Sequence, residues 1–199
     1  MARARADRPT EPTRERALRL FVAVDPPETA REAVDVAIAP WRRAIPEARW
    51  VGREGWHVTL KFLGATPPGK VERVTELLAA AAAELTPFAT RLDGLGAFPV
   101  DRPARVLWAG IDDRAGRLAG LALAIDGVLL KFFESERRPL HPHLTVARLD
   151  PARRLPEGFG ATTVEPVAFT VDRVCLYRSH TGGGSTRYEL LSTAPLGTG

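Results

Sequence analysis

The sequence predicts one α/β domain built from two similar strand–helix–strand units. Its 199 residues suit one compact domain or two small lobes. Hydrophobic residues make up 45% of the chain and charged residues 26%, so a packed core is expected rather than general disorder. Short β-type runs alternate with longer stretches of helical periodicity, and this order occurs twice.

The first unit follows an arginine-rich segment. Residues 1–16 show no apolar periodicity and are predicted to form a disordered tail, whereas residues 17–199 are predicted to form the domain. Residues 17–25 are an apolar run of strand length, and the prolines after it mark a helix start. The following helical stripe contains Ala30, Ala33, Val34, Ala37, Ile38 and Trp41. A β-rich run at 55–64, bounded by glycines, completes the unit.

The second unit repeats this order after a connecting helix that begins past Pro67 and a strand at 89–94. It consists of a strand at 105–112, a helix with its apolar stripe between Leu118 and Phe132, and a strand at 143–149. Asp25 precedes His57 by 32 residues and Asp112 precedes His143 by 31, which indicates an internal repeat. A strand at 167–177 and a hairpin through 181–186 into 188–191 are expected to complete the sheets.

Composition limits the compartment and the partners only broadly. The single cysteine, Cys175, excludes an internal disulfide and a cysteine-based zinc site, so the reducing cytoplasm is the expected location. The most apolar stretch, at 118–133, is interrupted by Asp126 and Lys131 and is too short to span a membrane. A formal net charge of +4 is compatible with a nucleic-acid partner but does not establish one.

Each unit carries the pattern H-x-T, as His57-Val58-Thr59 and as His143-Leu144-Thr145. Residues two apart on a strand point to the same face, so each imidazole has a threonine hydroxyl beside it. If the units pack about a pseudo-twofold axis, two histidines and two threonines converge on one cleft. Attack on phosphorus needs a base and an acid, which histidine supplies near neutral pH, and the hydroxyls can donate to the phosphate oxygens. Such a site needs no metal when the leaving group is good.

Two other interpretations of these motifs stay open. One H-x-T on an alternating strand is simply its polar face, but two copies at matching positions favour a function. His141 lies two residues before His143 and could complete a three-histidine zinc site with His57. That arrangement would leave Thr59 and Thr145 without a role.

Further candidates for substrate contact surround the motifs. Arg148 is a plausible phosphate clamp, although strict alternation places it on the wrong face unless a bulge redirects it. Lys61 is expected on the face of the first histidine, as a substrate contact or as a solvated strand residue. Phe21, Phe62 and Trp56 could stack a base, and packing in the core is the expected alternative.

Six segments of the chain resemble, in order, the two-histidine (2H) phosphoesterases, and above all the RNA 2′,3′-cyclic phosphodiesterases, also called the LigT-like or 2′-5′ RNA ligase family. They are LRLFVAVD, WHVTLKFLG, GLGAFP, RVLWAGI, HPHLTVARL and YELL, between Leu18 and Leu191. The resemblance implies a bilobal α/β fold, with two pseudo-symmetric lobes whose antiparallel sheets face a central cleft and whose helices lie outside.

The same resemblance implies metal-independent hydrolysis of RNA 2′,3′-cyclic phosphates to 2′-phosphomonoesters, without a cofactor. It implies that His57 is the proton donor, that His143 is the proton acceptor, and that Thr59 and Thr145 hold the phosphate. Some members of the family also join 2′-5′ RNA ends.

Two other functions remain compatible with the sequence. One is a non-catalytic module that binds phosphorylated RNA ends, and the other is a cyclic phosphodiesterase that acts on a non-RNA nucleotide metabolite. The expected partners are RNA with 2′,3′-cyclic phosphate ends or small cyclic nucleotides, with no membrane partner, and a monomer is the default expectation.

Overall fold

The helices and most of the strands follow one another along the chain in the order that the sequence predicts. The structure, a computed structural model, describes residues 16–182 and 185–198. The strands are β1 (Leu18–Val24), β2 (Arg49–Trp50), β3 (Val58–Thr66), β4 (Phe88–Phe98), β5 (Ala104–Ile111), β6 (His143–Arg153), β7 (Ala168–Val171), β8 (Arg173–Gly182) and β9 (Ser185–Pro195). The α-helices are α1 (Glu28–Ala44), α2 (Val71–Ala83) and α3 (Arg117–Leu129).

The strands form one antiparallel sheet in the order β7-β4-β5-β6-β3-β1-β8-β9, with β2 also paired to β6. The first repeat is β1–α1–β3 and the second is β5–α3–β6, and in each repeat the two strands are hydrogen-bonded neighbours. The repeats join at the middle of the sheet, where Val58 on β3 faces Leu144 on β6. The predicted mixed α/β fold with antiparallel strands and pseudo-symmetric halves is confirmed.

The hydrophobic core lies between one face of the sheet and the helices. Alternate residues of β1, namely Leu20, Val22 and Val24, belong to the same buried cluster as one stripe of each helix. These stripes are Ala30, Val34 and Ile38 on α1, Val74, Leu78 and Ala82 on α2, and Leu118, Leu121, Ile125 and Leu129 on α3. Full burial of one such aliphatic side chain contributes about 1.5–3 kcal/mol, so the helices fix which face of the sheet is core. The other face is left for the H-x-T side chains.

A β-bulge follows the threonine of each motif. In the β1–β3 pair, Ala23 faces Thr59 but Val22 already faces Lys61, so Leu60 is the extra residue. The extra residue of β6 is Val146, which lies between Thr145, opposite Trp108, and Ala147, opposite Leu107. Residues that face each other across a ladder point to the same side of the sheet, so each bulge inverts the alternation beyond it.

One prediction about the C-terminal half needs correction, and another falls partly outside the described residues. The run at 167–177 is not one strand: β7 pairs with β4 at one edge of the sheet, whereas β8 pairs with β1 and β9 near the other edge. The alternation changes phase at the polar pair Asp172–Arg173, from apolar residues at 169 and 171 to apolar residues at 174 and 176, and the chain changes partners at this point. The predicted hairpin is the β8–β9 pair, whose residues 183–184 lie outside the described residues, as do residues 1–15 of the predicted tail.

No helix in the described ranges is long and apolar enough to cross a membrane.

Candidate active site

The two H-x-T motifs lie side by side in the middle of the sheet. The central residues of the motifs, Val58 and Leu144, face each other and are buried in the core. One step in either direction along this antiparallel register directs His57 towards Thr145 and Thr59 towards His143, on the opposite face. The four polar side chains are half-buried. The structure therefore brings together the four residues that the sequence singled out.

Aromatic rings enclose the His57 imidazole. Its ring centroid lies 4.6 Å from that of Phe21 on β1, 4.8 Å from that of Tyr188 on β9, and 6.1 Å from that of Tyr177 on β8. Phe21 is 3% exposed, so it packs against the histidine instead of presenting a free face to a base. The tyrosines come from strands more than 100 residues further along the chain, and sequence reasoning did not include them in the site.

Burial in this aromatic pocket lowers the pKa of His57 to about 4, because the charged imidazolium loses its hydration. The Asp25 carboxylate and the Gly55 backbone act in the opposite direction and raise this pKa. The positive charges of Arg31 and of a protonated His143 add to the lowering. A proton on His143 thus disfavours a proton on His57.

His143 has one ring nitrogen committed to the backbone. Its Nδ1 lies 2.7 Å from the carbonyl oxygen of His141, a contact in which Nδ1–H donates and Nε2 keeps a free lone pair. Burial lowers the pKa of His143, which the His141 carbonyl partly offsets, and the charges of His141 and Arg148 lower it further. A neutral imidazole with an available Nε2 is the form that a general base requires.

A second aromatic cluster supports His143. Its ring centroid lies 5.2 Å from that of Phe98 and 6.3 Å from that of Trp108, and His141 packs 4.9 Å from Trp108. A Cβ at position 96 would lie 2.2 Å from the Trp108 ring, so Gly96 is required for this packing. Within the described residues, no three histidine, cysteine, aspartate or glutamate side chains are grouped so that they could hold a metal ion.

Arg148 shares the face of His143, because the bulge in β6 redirects it. It lies opposite Val106 on the ladder, on the side of the sheet that Trp108 also occupies, and it is exposed. Its positive charge adds to the burial that lowers the pKa of His143 and opposes the burial that raises the pKa of Tyr188, which places the guanidinium beside the site. The bulge that the sequence argument required is present.

Lys61 does not lie on the face of His57, and that prediction was wrong. The bulge at Leu60 turns Lys61 into the core side of the sheet, where it is 4% exposed. Its ammonium group donates to the Asp126 carboxylate on α3 and, at 2.7 Å, to the carbonyl oxygen of Glu134. Lys61 therefore links β3 to α3, and it is not a candidate for substrate contact.

The same bulge brings Phe62 onto the site face, although its expected place was the core. Phe62 faces Phe21 across the ladder with ring centroids 6.2 Å apart, yet 69% of it is exposed. Trp56, in contrast, is 1% exposed and donates from Nε1 to the Val51 carbonyl at 3.1 Å, as expected for a core residue. Phe62 and Arg148 each lie five residues after a motif histidine, so the two repeats present an aromatic ring and a cation at matching places.

The chain resembles known proteins over most of its length. The family model of the 2′-5′ RNA ligase superfamily matches residues 26–183. The chain belongs to this superfamily. A curated relative from Geobacillus stearothermophilus, named RNA 2′,3′-cyclic phosphodiesterase, is 32% identical over 178 residues, which cover 88% of this chain and 56% of the relative. The chain therefore spans little more than half the length of that relative.

Two further comparisons, both with E. coli proteins, cover almost the whole length of the matched chain. A relative from Escherichia coli K12, also named RNA 2′,3′-cyclic phosphodiesterase, is 34% identical over 182 residues, which cover 87% of this chain and 93% of the relative. The crystal structure of E. coli LigT complexed with 3′-AMP superimposes with a TM-score of 0.70 at 28% identity, covering 90% of this chain and 98% of LigT. The superfamily assignment thus rests on sequence and on fold.

Proposed function

We propose that this protein hydrolyses RNA 2′,3′-cyclic phosphodiester ends to 2′-phosphomonoesters, with His57 as the proton donor and His143 as the proton acceptor. The observation that carries the proposal is the Val58–Leu144 pair, whose register sets both H-x-T motifs on one face at the centre of the sheet. The names of the relatives from Geobacillus and E. coli support this substrate class.

The reaction divides between the two imidazoles. His143 Nε2 takes a proton from water while the water oxygen forms a bond to phosphorus. The bond between phosphorus and the ribose O3′ breaks, and His57 gives its proton to that oxygen. The products are a 2′-phosphate and a 3′-hydroxyl, and one further proton exchange with solvent restores both histidines.

The threonines and Arg148 stabilise the phosphate. Thr59 and Thr145 donate to its non-bridging oxygens, where negative charge accumulates during attack. The exposed guanidinium of Arg148 adds a positive charge on the same face. In this proposal the strained cyclic phosphate supplies a good leaving group, so the reaction runs without a metal ion.

Phe62 provides a stacking surface for the base next to the cyclic phosphate. An exposed ring on the site face can stack on any base, and such stacking contributes about 1–3 kcal/mol per base. E. coli LigT has been crystallised with the nucleotide 3′-AMP, which supports a nucleotide site in this fold. Phe62 replaces Phe21 as the proposed base contact, because Phe21 is covered by other rings.

Turnover of an oligonucleotide with a 2′,3′-cyclic phosphate tests the proposal. The wild type should yield a 2′-phosphate in excess EDTA, identified by mass and by its position on the ribose, and His143→Ala should not. A 5′-hydroxyl RNA added to the reaction would take the place of water, and a 2′-5′ linked product would establish ligation.

Three outcomes would contradict the proposal. Binding of the RNA end without turnover would favour a non-catalytic module, and faster turnover of a non-RNA cyclic nucleotide would favour a metabolite as substrate. Loss of activity on chelation, with rescue by zinc or manganese, would contradict the metal-free mechanism.

A further inference from the structure

The first motif histidine faces a carboxylate across its strand pair. The β1–β3 ladder ends at Val24 opposite Val58, and the next step of an antiparallel register sets Asp25 opposite His57. Directly opposed residues have side chains about 4.5–5.5 Å apart at Cβ and interact across the strands. Asp25 thus lies beside the imidazole on the site face.

The second motif histidine faces a glycine at the corresponding place. In the β5–β6 ladder Ala109 lies opposite Leu144, and Gly110 lies opposite His143. The spacing along the sequence made Asp112 the apparent counterpart of Asp25, but the ladder shows that Gly110 is its counterpart. Asp112 instead accepts hydrogen bonds from the Arg91 side chain and the Arg114 backbone.

Two side chains of β8 hold the Asp25 carboxylate in place. The Tyr177 hydroxyl donates to its Oδ2 at 2.6 Å, and the Cys175 thiol donates to the same oxygen at 3.6 Å. Burial, together with the nearby Asp25 charge, raises the pKa of Cys175 to about 12 and raises that of Tyr177 as well. Both groups therefore keep their protons at neutral pH and serve as donors.

The other charged groups around His57 are cationic. Arg31 on α1 points its guanidinium at backbone carbonyls, with Nε donating to Pro26 at 3.1 Å, and its charge lowers the pKa of His57. His143 acts in the same direction from β6. The pKa of Arg173 on β8 is raised mainly by its hydrogen bond to Asp172, and the Asp25 charge raises it further. The edge-on ring of Tyr188 on β9 contributes burial rather than charge.

We propose that Asp25 is a positioning residue that assigns the proton-donor role to His57. Its carboxylate offsets part of the effect of burial, which lowers the pKa of His57, whereas the residue opposite His143 is Gly110, which carries no charge. The direction of proton transfer rests on the function proposed above, but the pairing of Asp25 with His57 does not. The asymmetry between acid and base is therefore built into the register of the two repeats.

The test compares Asp25→Asn with a matched control, Asp112→Asn, by NMR titration of the His57 imidazole. Asparagine keeps an acceptor for Tyr177 but removes the charge, so the pKa of His57 should fall by about one unit or more, as is usual for loss of an adjacent opposite charge. Asp112→Asn should leave that pKa unchanged, and Asp25→Glu, which keeps the charge, should preserve most of it. An unchanged His57 pKa in folded Asp25→Asn would overturn the pairing, whatever the activity.

Kinetics supply the second readout. At neutral pH, above the pKa of His57, each unit lost lowers the protonated fraction about tenfold, so Asp25→Asn should slow cyclic-phosphate hydrolysis by about that factor. On a nitrophenyl ester, whose leaving group needs no proton, Asp25→Asn should match the wild type. Equal slowing on both substrates would contradict the positioning role. A wild type without turnover, combined with a shifted His57 pKa in Asp25→Asn, would instead overturn the proposed function alone.

Discussion

The two repeats place equivalent side chains in different environments. Both contribute a histidine and a threonine from a central strand, and both have a bulge directly after the threonine. His57 is enclosed by rings and faces Asp25, whereas His143 donates to the His141 carbonyl and has Arg148 nearby. The shared features place two imidazoles on one face of the sheet, and in the proposed mechanism the Asp25 carboxylate beside His57 marks that histidine as the acid.

The bulges extend this comparison to the substrate. The fifth residue after the histidine returns to the site face in each repeat, as Phe62 in the first and as Arg148 in the second. A ring suits a base and a guanidinium suits a phosphate. In the proposed function, the bulge in each repeat therefore presents a different group to the substrate.

The largest expected effect is the loss of either motif histidine. Because a positioned general acid or base contributes about 10²- to 10⁴-fold, His57→Ala and His143→Ala should each lower kcat on a 2′,3′-cyclic oligonucleotide by that order. Steady-state kinetics and circular dichroism of the same preparations would measure it. If only one variant lost activity, the two repeats would not both supply a catalytic group.

The threonines should come next. Thr59→Val and Thr145→Val keep the shape and delete the hydroxyl, and loss of one donor to the developing charge costs about 2.7–4 kcal/mol in a well-formed site. The expected loss in kcat is about 10²- to 10³-fold for each variant, with Thr→Ser as the control that keeps the hydroxyl. Wild-type kinetics in both valine variants would show that the hydroxyls are only the polar face of the sheet.

Phe62 and Arg148 should separate base recognition from phosphate recognition. Loss of base stacking in Phe62→Ala should lower kcat/KM on cyclic nucleotides by a factor equivalent to about 1–3 kcal/mol. The kcat/KM on a small phosphodiester without a base should not change. Arg148→Met should lower kcat/KM on both substrates, since both carry the phosphate. Phe132 is also partly exposed but lies outside the site, so Phe132→Ala is the matched control. An equal effect of Phe62→Ala on both substrates would contradict stacking.

The pH dependence of kcat/KM should show the smallest of these effects. Burial lowers the pKa of both histidines below 6.5, so both limbs of the kcat/KM profile of the free enzyme should lie below pH 6.5. Above that range His57 loses its proton and the rate should decline as pH rises. The limbs belong to the coupled pair rather than to one residue. A kcat/KM optimum above pH 7 would contradict burial as the dominant influence.

The sequence predicts the features that depend on local pattern. Helical stripes, strand runs and the spacing of the repeats locate the elements, and the H-x-T periodicity places His57, Thr59, His143 and Thr145 on one face. The sequence does not predict the features that depend on pairing between distant strands. A bulge leaves no mark in the alternation of β3, so Lys61 and Phe62 exchange faces relative to the prediction. The tyrosines against His57 come from β8 and β9, which no local pattern connects to the motif.

Asp25 is a second case in which strand pairing, and not the sequence pattern, decides the neighbours of a residue. Its spacing to His57 predicts one half of a repeat in which Asp112 is the counterpart of Asp25. One step beyond the β1–β3 ladder sets Asp25 opposite His57, and the β5–β6 ladder pairs Gly110 with His143, because the number of residues between paired strands differs between the repeats. Register, not spacing, identifies the residue that distinguishes the two halves.

The leaving-group dependence of the two histidine variants is the sharpest test of His57 as the acid and His143 as the base. His57→Ala and His143→Ala are compared on a 2′,3′-cyclic nucleotide and on a nitrophenyl phosphodiester, whose leaving group departs without a proton. The nitrophenyl substrate should restore most of the rate to His57→Ala and none to His143→Ala, because in His143→Ala water still lacks its base. Rescue of His143→Ala, with His57→Ala inactive on both substrates, would show that the acid and the base are exchanged.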